Sequence, residues 1–213
     1  EVIEGVLPNF EIEKKLNNEG FSIIAGIDEA GRGSWAGPVV AGAVIFTDMV
    51  PPCDLLKKID DSKKLTSTIR DSLYQTLCSD PNIFIGIGFA SVHEIEKLNI
   101  VGATMVAMKR AAMCLGASPD CVIVDGVNRP DASCEVRSII KGDSKSFSIA
   151  AASIVAKVSR DKFMIKLAQK HPKYGWEKNV GYGTSMHRSA LEKFGVTEHH
   201  RSTFKPIKLL SIT

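Results

Sequence analysis

Three compact apolar runs in the first half of the chain have the length of buried β-strands. They extend from Phe21 to Ile27, from Val39 to Phe46 and from Ile83 to Ala90, and they are rich in small and branched apolar residues. The segment between the first two, GRGSWAGP, contains the glycine and proline residues that mark turns. Three such runs, joined without long helices, predict an antiparallel meander.

Helical spacing dominates much of the remaining chain. A short polar helix is predicted over residues 9–18, a long helix from about Ser146 to Lys170, and a short final helix that Gly195 ends. Two further helices carry apolar residues three or four positions apart. These residues are Ile69, Leu73 and Leu77 in the first helix, and Val101, Met105, Met108, Ala112 and Leu115 in the second.

Short polar residues mark where these two helices begin. Thr66 is a candidate N-cap, and Ser91 with Glu94 has the spacing of a capping box. Two short apolar runs, Val122 to Val124 and Val136 to Ile140, add a fourth and a fifth strand. The pattern therefore predicts an α/β fold, with a mixed five-stranded sheet flanked by helices and a helical C-terminal segment.

No repeat or low-complexity linker divides the chain, so we expect one domain over residues 1–213. Its core is predicted at about 20–172, followed by a C-terminal segment at about 173–213. The composition, 44% hydrophobic and 24% charged, is ordinary for a globular protein. No apolar run approaches the roughly 18 residues of a membrane span, so no membrane partner is expected. The five cysteines form no C-x-x-C pair, which favours reduced thiols and a cytoplasmic location.

Positive charge is concentrated in the second half of the chain, although the net charge is only +3. Such an arrangement suits a phosphate-binding surface, and it also suits a solvated helix face. The basic residues of this half include Arg137, Lys141, Lys145, Lys157, Arg160, Lys162, Lys166, Lys170 and Lys173. A further basic run, His199 to Arg201, is expected to organise the C-terminal segment or to contact phosphate, and neither of its histidines is expected to bind metal.

Four acidic residues stand at strand ends or just beyond them. Asp28 and Glu29 close the first predicted strand, Asp125 closes the fourth, and Asp143 follows the fifth. Taken singly, Asp125 could belong to a turn and Asp143 could cap a helix. If the first and fourth strands are neighbours, however, these carboxylates meet at one edge of the sheet.

Such a cluster of like charges is costly unless cations neutralise it. Carboxylate ligands without a Cys/His set favour Mg²⁺ or Mn²⁺ over Zn²⁺. Two such ions about 4 Å apart could activate water and stabilise the leaving oxygen of a phosphodiester. The combination of acids is typical of a two-ion phosphodiesterase site, although spacing alone does not decide between such a site and separate turn and cap residues.

At this point the motifs resemble those of the ribonuclease HII family. In order they are IDEAGRG from Ile27, AGPVV from Ala36, DSKKL from Asp61, VDG from Val124, KGD from Lys141, AASIVAKVSRD from Ala151, GYGT from Gly181 and TEHHR from Thr197. They extend over nearly the whole chain, from about residue 22 to 206.

The resemblance implies a ribonuclease H-like fold and a metal-dependent endoribonuclease. Its expected substrates are RNA/DNA hybrids and duplex DNA with embedded ribonucleotides, which the family incises on the 5′ side to leave 5′-phosphate and 3′-hydroxyl ends. Matched motif by motif, the metal ligands and catalytic residues are Asp28, Glu29, Asp125 and Asp143. The resemblance also implies that residues 173–213 contact the substrate.

Substrate contacts are implied at further positions. Gly31, Arg32 and Gly33 would present main-chain groups to the ribose 2′-hydroxyl, which requires the close approach that glycine permits. Tyr182 would pack on the sugar at the junction between ribonucleotide and deoxyribonucleotide. Three residues are weaker candidates for phosphate or DNA-backbone contact: Lys63, Ser153 and Lys157, of which the last two share a helix face with Arg160.

Two features of the chain bear on how closely it follows the family pattern. Ser34 and Trp35 stand where many relatives have proline and an aliphatic residue, and we expect Trp35 to be core. The tail KPIKLLSIT lacks the paired aromatics of a sliding-clamp motif, so no clamp contact through it is expected, and the protein is expected to be a monomer.

Ribonuclease HIII, which prefers ribonucleotide tracts, is disfavoured because about 20 residues precede the first strand and both GRG and GYGT are present. A non-catalytic hybrid-binding module would have no need of four acids together.

Overall fold

Five strands form one mixed sheet in the computed structural model, which describes residues 7–50, 59 and 65–210. The strands are β1 (Ile24–Ala30), β2 (Val39–Phe46), β3 (Ile83–Ala90), β4 (Cys121–Asp125) and β5 (Glu135–Ile139). Their spatial order is β3-β2-β1-β4-β5. β2 pairs antiparallel with β1 and β3, whereas β4 pairs parallel with β1 and β5. The predicted mixed five-stranded sheet is confirmed.

Helices cover both faces of this sheet. They are α1 (Glu11–Asn18), α2 (Ser67–Ser79), α3 (Val92–Met113), α4 (Phe147–Lys170), α5 (Trp176–Asn179), α6 (Ser185–Phe194) and α7 (Lys205–Leu210), with short 3₁₀ helices at Gly142–Ser144 and Pro172–Tyr174. α3 and α4 pack against the central strands and bury two separate apolar clusters. Every residue of β2 is buried, because helices cover both faces of the sheet at this strand. This is why its sequence is a continuous apolar run.

Close contact between α4 and the sheet depends on two glycines that lack a side chain. A Cβ at Gly26 of β1 would overlap the backbone of Ser148, and one at Gly42 of β2 would overlap the backbone near Ala152. The start of α4 therefore lies directly on β1, which carries the first acidic residues, and on its neighbour β2. In the described part of the chain, no helix is both long and apolar enough to cross a membrane.

The predicted helix caps are confirmed. The Thr66 side chain accepts a hydrogen bond from the N–H of Ile69, and Ser91 forms a reciprocal capping box with Glu94. Gly195 follows the last residue of α6, as predicted. Ser146, which the sequence marked only as the approximate start of the long helix, caps α4. These caps satisfy N–H groups that the first turn of a helix leaves unpaired, so they are readable from local sequence.

Three details of the helical prediction were wrong. α2 lies between β2 and β3, so the antiparallel strands are not joined without a helix. The helical spacing groups Ile69 and Val101 with residues of one apolar face, a pattern typical of burial, yet each of the two is 40% exposed. α3 is also broken at Asn99, whose backbone has φ 57° and whose Oδ1 accepts from the N–H groups of Val101 and Gly102. Asn99 thus caps a second helical segment, and the turn of the helix axis moves the buried stripe.

The C-terminal segment has its own apolar cluster, built against the end of α4. Met164, Leu167 and Ala168 of α4 meet Trp176 of α5 and residues of α6 and α7. The segment also returns to the turn after β1, because Ala36 and His200 form an isolated antiparallel bridge. Residues remote in sequence are therefore placed beside the acidic end of the sheet.

Candidate active site

Three carboxylates from three elements meet at one edge of the sheet. Asp28 lies near the end of β1, Asp125 is the last residue of β4, and Asp143 lies in the 3₁₀ helix before α4. One oxygen of each lies within 4.8 Å of the others. Because β1 and β4 are parallel neighbours, their carboxyl ends share an edge. The predicted meeting of these three acids is found in the structure.

The environment of Asp28 is unfavourable for a bare carboxylate. Its residue is only 7% exposed, and burial raises the pKa of its carboxyl well above the usual value. The charges of Glu29, Asp125 and Asp143 raise this pKa further, and the hydrogen bond from the Glu29 N–H to Oδ1 (2.7 Å) lowers it only in part. A divalent cation among these oxygens would favour the ionised form, so the cluster fits such an ion.

A short turn ties the other two acids together. The N–H of Gly142 donates to Asp125 Oδ1 at 2.6 Å, which fixes one face of that carboxylate. Lys141, just before it, has a left-handed backbone with φ 55° and ψ 46°. Non-glycine residues adopt this conformation at a cost, and it turns the chain from β5 towards α4. Asp143 therefore reaches the cluster through a constrained turn.

Glu29 is the one predicted ligand that lies outside this three-residue cluster. Successive side chains on a strand point to opposite faces, so Asp28 and Glu29 diverge. The Glu29 carboxylate lies 3.1 Å from Nη1 of Arg32. Glu29 is close enough for its charge to raise the pKa of Asp28, and its metal role stays a prediction.

The glycine loop, defined as residues 31–38, follows β1 and is held from inside. The carbonyls of Gly31 and Arg32 accept hydrogen bonds from the guanidinium of Arg201 at 2.7 and 2.9 Å. Gly31 has φ +92°, and a Cβ there would overlap the Arg160 side chain, whereas nothing lies within 4 Å of a Cβ at Gly33. Within the described part of the chain, the N–H groups of Arg32 and Gly33 have no acceptor. These donors suit the predicted contact with a sugar hydroxyl.

Tyr182 lies in the tyrosine loop, defined as residues 180–184, which contacts the glycine loop directly. The N–H of Trp35 donates to the Gly181 carbonyl at 2.8 Å. Two cations flank the Tyr182 ring: Lys157 Nζ is 5.4 Å and the Arg160 guanidinium carbon 5.5 Å from its centroid. The structure thus places Lys157 beside Tyr182, a proximity that helical spacing alone could not reveal.

Several predicted phosphate contacts do not fit the structure. Ser153 is 5% exposed, and its hydroxyl donates to the Ala150 carbonyl at 2.9 Å, so it faces the helix rather than solvent. Arg160 is also buried and belongs to no surface stripe. His200 and Arg201 are buried as well, which agrees with the other interpretation of their run, that it organises the C-terminal segment. The apolar packing of α4 explains the error, since nearly all of its first three turns are covered. Lys63 lies outside the described residues.

Two buried histidines support the tyrosine loop from behind. His200 Nδ1 accepts from the N–H of Thr197 at 2.9 Å, so its Nε2 carries the proton and donates to His187 Nε2 at 3.0 Å. His187 Nδ1 then donates to the Tyr182 carbonyl at 3.0 Å. Burial lowers the pKa of His187 and lowers that of His200 to about 3. Both are therefore neutral residues with a structural role.

Trp35 is partly buried against the same cluster, with its ring centroid 5.7 Å from that of His187. The expected core role is supported by this packing. Its indole occupies the space beside Gly183, where a Cβ would overlap it. Trp35 therefore fixes the spacing between the glycine loop and the tyrosine loop.

Comparisons with known proteins agree with this geometry. The ribonuclease HII family model matches residues 25–207. The ribonuclease HII of Gluconobacter oxydans is 52% identical over 187 residues, which cover 87% of this chain and 89% of that protein. The ribonuclease H2 structure of Pyrococcus horikoshii superposes with a TM-score of 0.73 at 25% identity, covering 89% of this chain and 97% of that one. A ribonuclease HII of Archaeoglobus fulgidus, solved in complex with PCNA, has a TM-score of 0.70 at 26% identity and covers 86% of this chain and 95% of that one.

A mixed five-stranded sheet with carboxylates at the ends of β1 and β4 defines a ribonuclease H-like nuclease. Within that class, the chain belongs to the ribonuclease HII family. It is a metal-dependent endoribonuclease, and this family acts on RNA/DNA hybrids.

Proposed function

We propose that this enzyme, besides cutting the RNA strand of hybrids, incises duplex DNA on the 5′ side of a single embedded ribonucleotide. The products would carry 5′-phosphate and 3′-hydroxyl ends. The observation that carries the proposal is the adjacency of Asp28 in the acid cluster to the glycine loop that begins three residues later. A hydrolytic centre and a main-chain reader of the 2′-hydroxyl are thereby joined in one short segment.

Asp28, Asp125 and Asp143 would hold the metal, with Glu29 as a fourth ligand. Two Mg²⁺ or Mn²⁺ ions bound there would supply an activated water and charge stabilisation at the leaving 3′ oxygen. The protein's own contribution is to fix the ligands: β1 and β4 position two of them, and the Gly142 N–H holds the Asp125 carboxylate. Carboxylates held in this way need little rearrangement before reaction.

Substrate reading is assigned to the two loops. The N–H groups of Arg32 and Gly33 would face the ribose, and the open space at Gly33 would admit the sugar. The Tyr182 ring would pack on the sugar of the next nucleotide, with Lys157 beside it to neutralise phosphate. A 2′-hydroxyl is the group that separates RNA from DNA at one sugar, so a reader must approach it closely.

The direct test compares three duplexes: one with a single embedded ribonucleotide, one all-RNA/DNA hybrid, and one all-DNA. Each is incubated with Mg²⁺ and, separately, with Mn²⁺, and the products are sized and end-mapped. We expect one incision 5′ of the ribonucleotide, cutting throughout the hybrid, and no cutting of DNA. The Asp28→Asn variant, purified in parallel, controls for contaminating nuclease.

Cleavage restricted to ribonucleotide tracts would contradict the proposal and favour a substrate preference like that of ribonuclease HIII. Cutting on the 3′ side, or 3′-phosphate ends, would contradict the assigned geometry of water attack. If one metal ion is sufficient, the cleavage rate should rise non-cooperatively with metal concentration. This result would contradict the proposed second ion.

A further inference from the structure

Two arginine side chains, Arg160 of α4 and Arg201 of the C-terminal segment, are completely buried at the back of the glycine loop. Burying a guanidinium is costly unless its donors are hydrogen-bonded. Both arginines donate mainly to backbone carbonyls. Burial lowers the pKa of each, and for Arg201 to about 9. Two buried guanidinium groups with this energetic cost indicate that the glycine loop must be held in a particular geometry.

Arg160 joins two segments that are far apart in the sequence. Its Nε donates to the Pro38 carbonyl at 2.9 Å and its Nη2 to the Ala36 carbonyl at 3.0 Å, both in the glycine loop. Its Nη1 donates to the Val180 carbonyl at 2.8 Å, in the tyrosine loop. The same guanidinium lies under the Tyr182 ring.

The backbones around Arg160 are shaped to admit it. A Cβ at Gly31 would overlap its side chain, and one at Gly181 would overlap the Ala36 carbonyl. Val180 has φ 42°, a conformation in which a β-branched residue is strained. Strain of this kind persists only where surrounding contacts fix it, and the Arg160 hydrogen bond to the Val180 carbonyl is one such contact.

Arg201 provides a natural comparison. It is equally buried, yet its hydrogen bonds all go to the glycine loop, at Gly31, Arg32, Gly37 and Pro38. It therefore braces one loop, whereas Arg160 bridges two.

We propose that Arg160 is a positioning residue that locks the glycine loop and the tyrosine loop into one rigid reader of the ribonucleotide junction. The role of the reader rests on the proposed function, but the mechanical coupling does not. A planar guanidinium can donate in three directions at once, and a lysine ammonium cannot reproduce that fork. Arg160→Lys should consequently keep the charge and lose the coupling.

Hydrogen exchange of the substrate-free protein tests the coupling directly. In the wild type, the Ser34 and Gly37 amides of the glycine loop and the Val180, Tyr182 and Thr184 amides of the tyrosine loop should open together as low concentrations of denaturant are added. Each of these amides is hydrogen-bonded, and neither glycine-loop amide has its acceptor in the tyrosine loop. Arg160→Lys should accelerate exchange in both loops by at least about tenfold, as expected for the loss of one or two hydrogen bonds from a charged donor. Arg201→Lys should accelerate the glycine loop similarly and the tyrosine loop by less than a third as much.

Independent opening of the two loops in the wild type would overturn the proposal, and this measurement requires no variant to fold. Unchanged exchange of residues 180–184 in Arg160→Lys would overturn it equally, as would an equal effect of Arg201→Lys there.

Cleavage kinetics then connect the coupling to specificity. The measured quantity is the ratio of kcat/KM on the single-ribonucleotide duplex to kcat/KM on the hybrid. Arg160→Lys should lower this ratio about tenfold in the wild type and not at all in a Tyr182→Ala background, because the two residues act as one unit. Equal factors in both backgrounds would show that Arg160 supports stability alone. If the wild type fails to cut the single-ribonucleotide duplex, the proposed function fails, while hydrogen exchange still decides the coupling.

Discussion

The acid cluster and the two loops that we propose to read the substrate lie at the same end of the molecule but are positioned by different means. Asp28 and Asp125 are fixed by the register of adjacent parallel strands, with Ile24 opposite Cys121 and Ile27 opposite Val124. The loops contain no regular structure between residues 31 and 38 beyond one bridge at Ala36. They are held instead by buried side chains. Arg160 and Arg201 reach the glycine loop from remote segments, and His187 holds the tyrosine loop from the helix that follows it.

This difference separates chemistry from specificity. The cluster is electrostatically unfavourable, since burial and neighbouring charge raise the pKa of Asp28, and a cation bound there would offset this cost. The loops are instead mechanically constrained, by the positive φ of Gly31 and Val180. Damage to the cluster should therefore abolish hydrolysis on every substrate, whereas damage to the loops should alter which substrates are cut.

The largest expected effect is at the acids. Asp28→Asn or Asp125→Asn should reduce cleavage of both hybrid and single-ribonucleotide duplex below a tenth of the wild-type rate, because each loses a charged metal ligand. Asp28→Asn should also fold without metal at least as stably as the wild type, since it removes a buried charge. Thermal unfolding with and without Mn²⁺ measures this: the wild type should gain stability from the ion and the variant should not.

Asp131→Asn is the matched control, because Asp131 is an exposed acid ion-paired with Lys109 and outside the cluster. It should retain wild-type cleavage and the full stabilisation by Mn²⁺. Retention of more than about a tenth of the rate in either cluster variant would remove the metal-ligand assignment.

The acid cluster was the part of the site that sequence could predict. A carboxylate directly after an apolar run has its backbone fixed by the sheet, so Asp28 and Asp125 follow from strand position once β1 and β4 are neighbours. Strands β2 and β3 and the caps Thr66, Ser91 and Ser146 were likewise readable, because they depend on local pattern. Glu29 lies outside the cluster because successive side chains on a strand point to opposite faces. This alternation could have been applied to the sequence alone.

The second effect should fall on specificity. Tyr182→Ala should lower the rate on the single-ribonucleotide duplex by on the order of 100-fold, since misplacing the scissile phosphate by about 1 Å can cost that much. It should change duplex affinity far less. Tyr182→Phe, the control, should keep most activity, because packing on a sugar needs the ring more than the hydroxyl and the ring contacts of Lys157 and Arg160 are kept. Equal kcat values for Tyr182→Ala and wild type would leave the glycine loop as the reader of the junction.

The supports of these loops were not predictable from sequence. Arg160 shares a helix face with Ser153 and Lys157, which suggested a phosphate-binding stripe, but burial depends on which elements cover that face. His200 and Arg201 stand in a polar run, and only the return of the C-terminal segment to Ala36 buries them. Long-range contacts of this kind leave no local periodicity from which to infer them.

A third effect concerns charge around the cluster. Duplex affinity should fall as salt rises, with log K decreasing by about 0.9 for each phosphate contact per tenfold increase in salt. Lys141→Ala, in the exposed turn beside Asp143, should lower the magnitude of this slope by about one contact. Lys109→Ala, at an exposed site paired with Asp131, should leave the slope unchanged. If log K does not change with salt in the wild type, or changes equally in all three proteins, these basic residues do not contact the duplex.

A smaller effect concerns the histidine pair behind Tyr182. Burial lowers the pKa of His200 to about 3, below the value of about 6.5 in an unfolded chain. Because the unfolded chain then binds protons first, the stability from His200 is complete above about pH 6.5 and is lost as pH falls towards the folded value. Between pH 7.5 and 5.5 the expected loss is about 1.4 kcal/mol.

Urea unfolding at pH 7.5 and at pH 5.5 measures this loss of stability in the wild type, His200→Gln and His93→Gln. His200→Gln should lose less stability on acidification than the wild type. His93→Gln, which changes an exposed histidine, should lose as much as the wild type. The same pH dependence in all three proteins would show that His200 titrates normally and does not support the tyrosine loop as a neutral relay.

The smallest expected effect, no change in rate, concerns the cysteines. Cys78 and Cys114 are exposed, whereas Cys121 is buried and its thiol pKa is raised by burial to about 11. Cys78 lies near the end of α2, just before β3 begins, and Cys114 follows the end of α3. The acids lie where β1 and β4 end, at the opposite edge from the start of β3, because β3 runs in the same direction as β1.

Alkylation of these two thiols should therefore leave cleavage within about twofold of the untreated rate, since neither group touches the reacting atoms. Mass spectrometry of peptides identifies which thiols have reacted, and a Cys78→Ser, Cys114→Ser double variant provides the control. Rapid inactivation of the wild type that bound hybrid prevents, and that the double variant escapes, would place one of these thiols at the substrate. It would also break the separation between a chemistry fixed by strand ends and a specificity fixed by loops, because a third region would then contribute to the site.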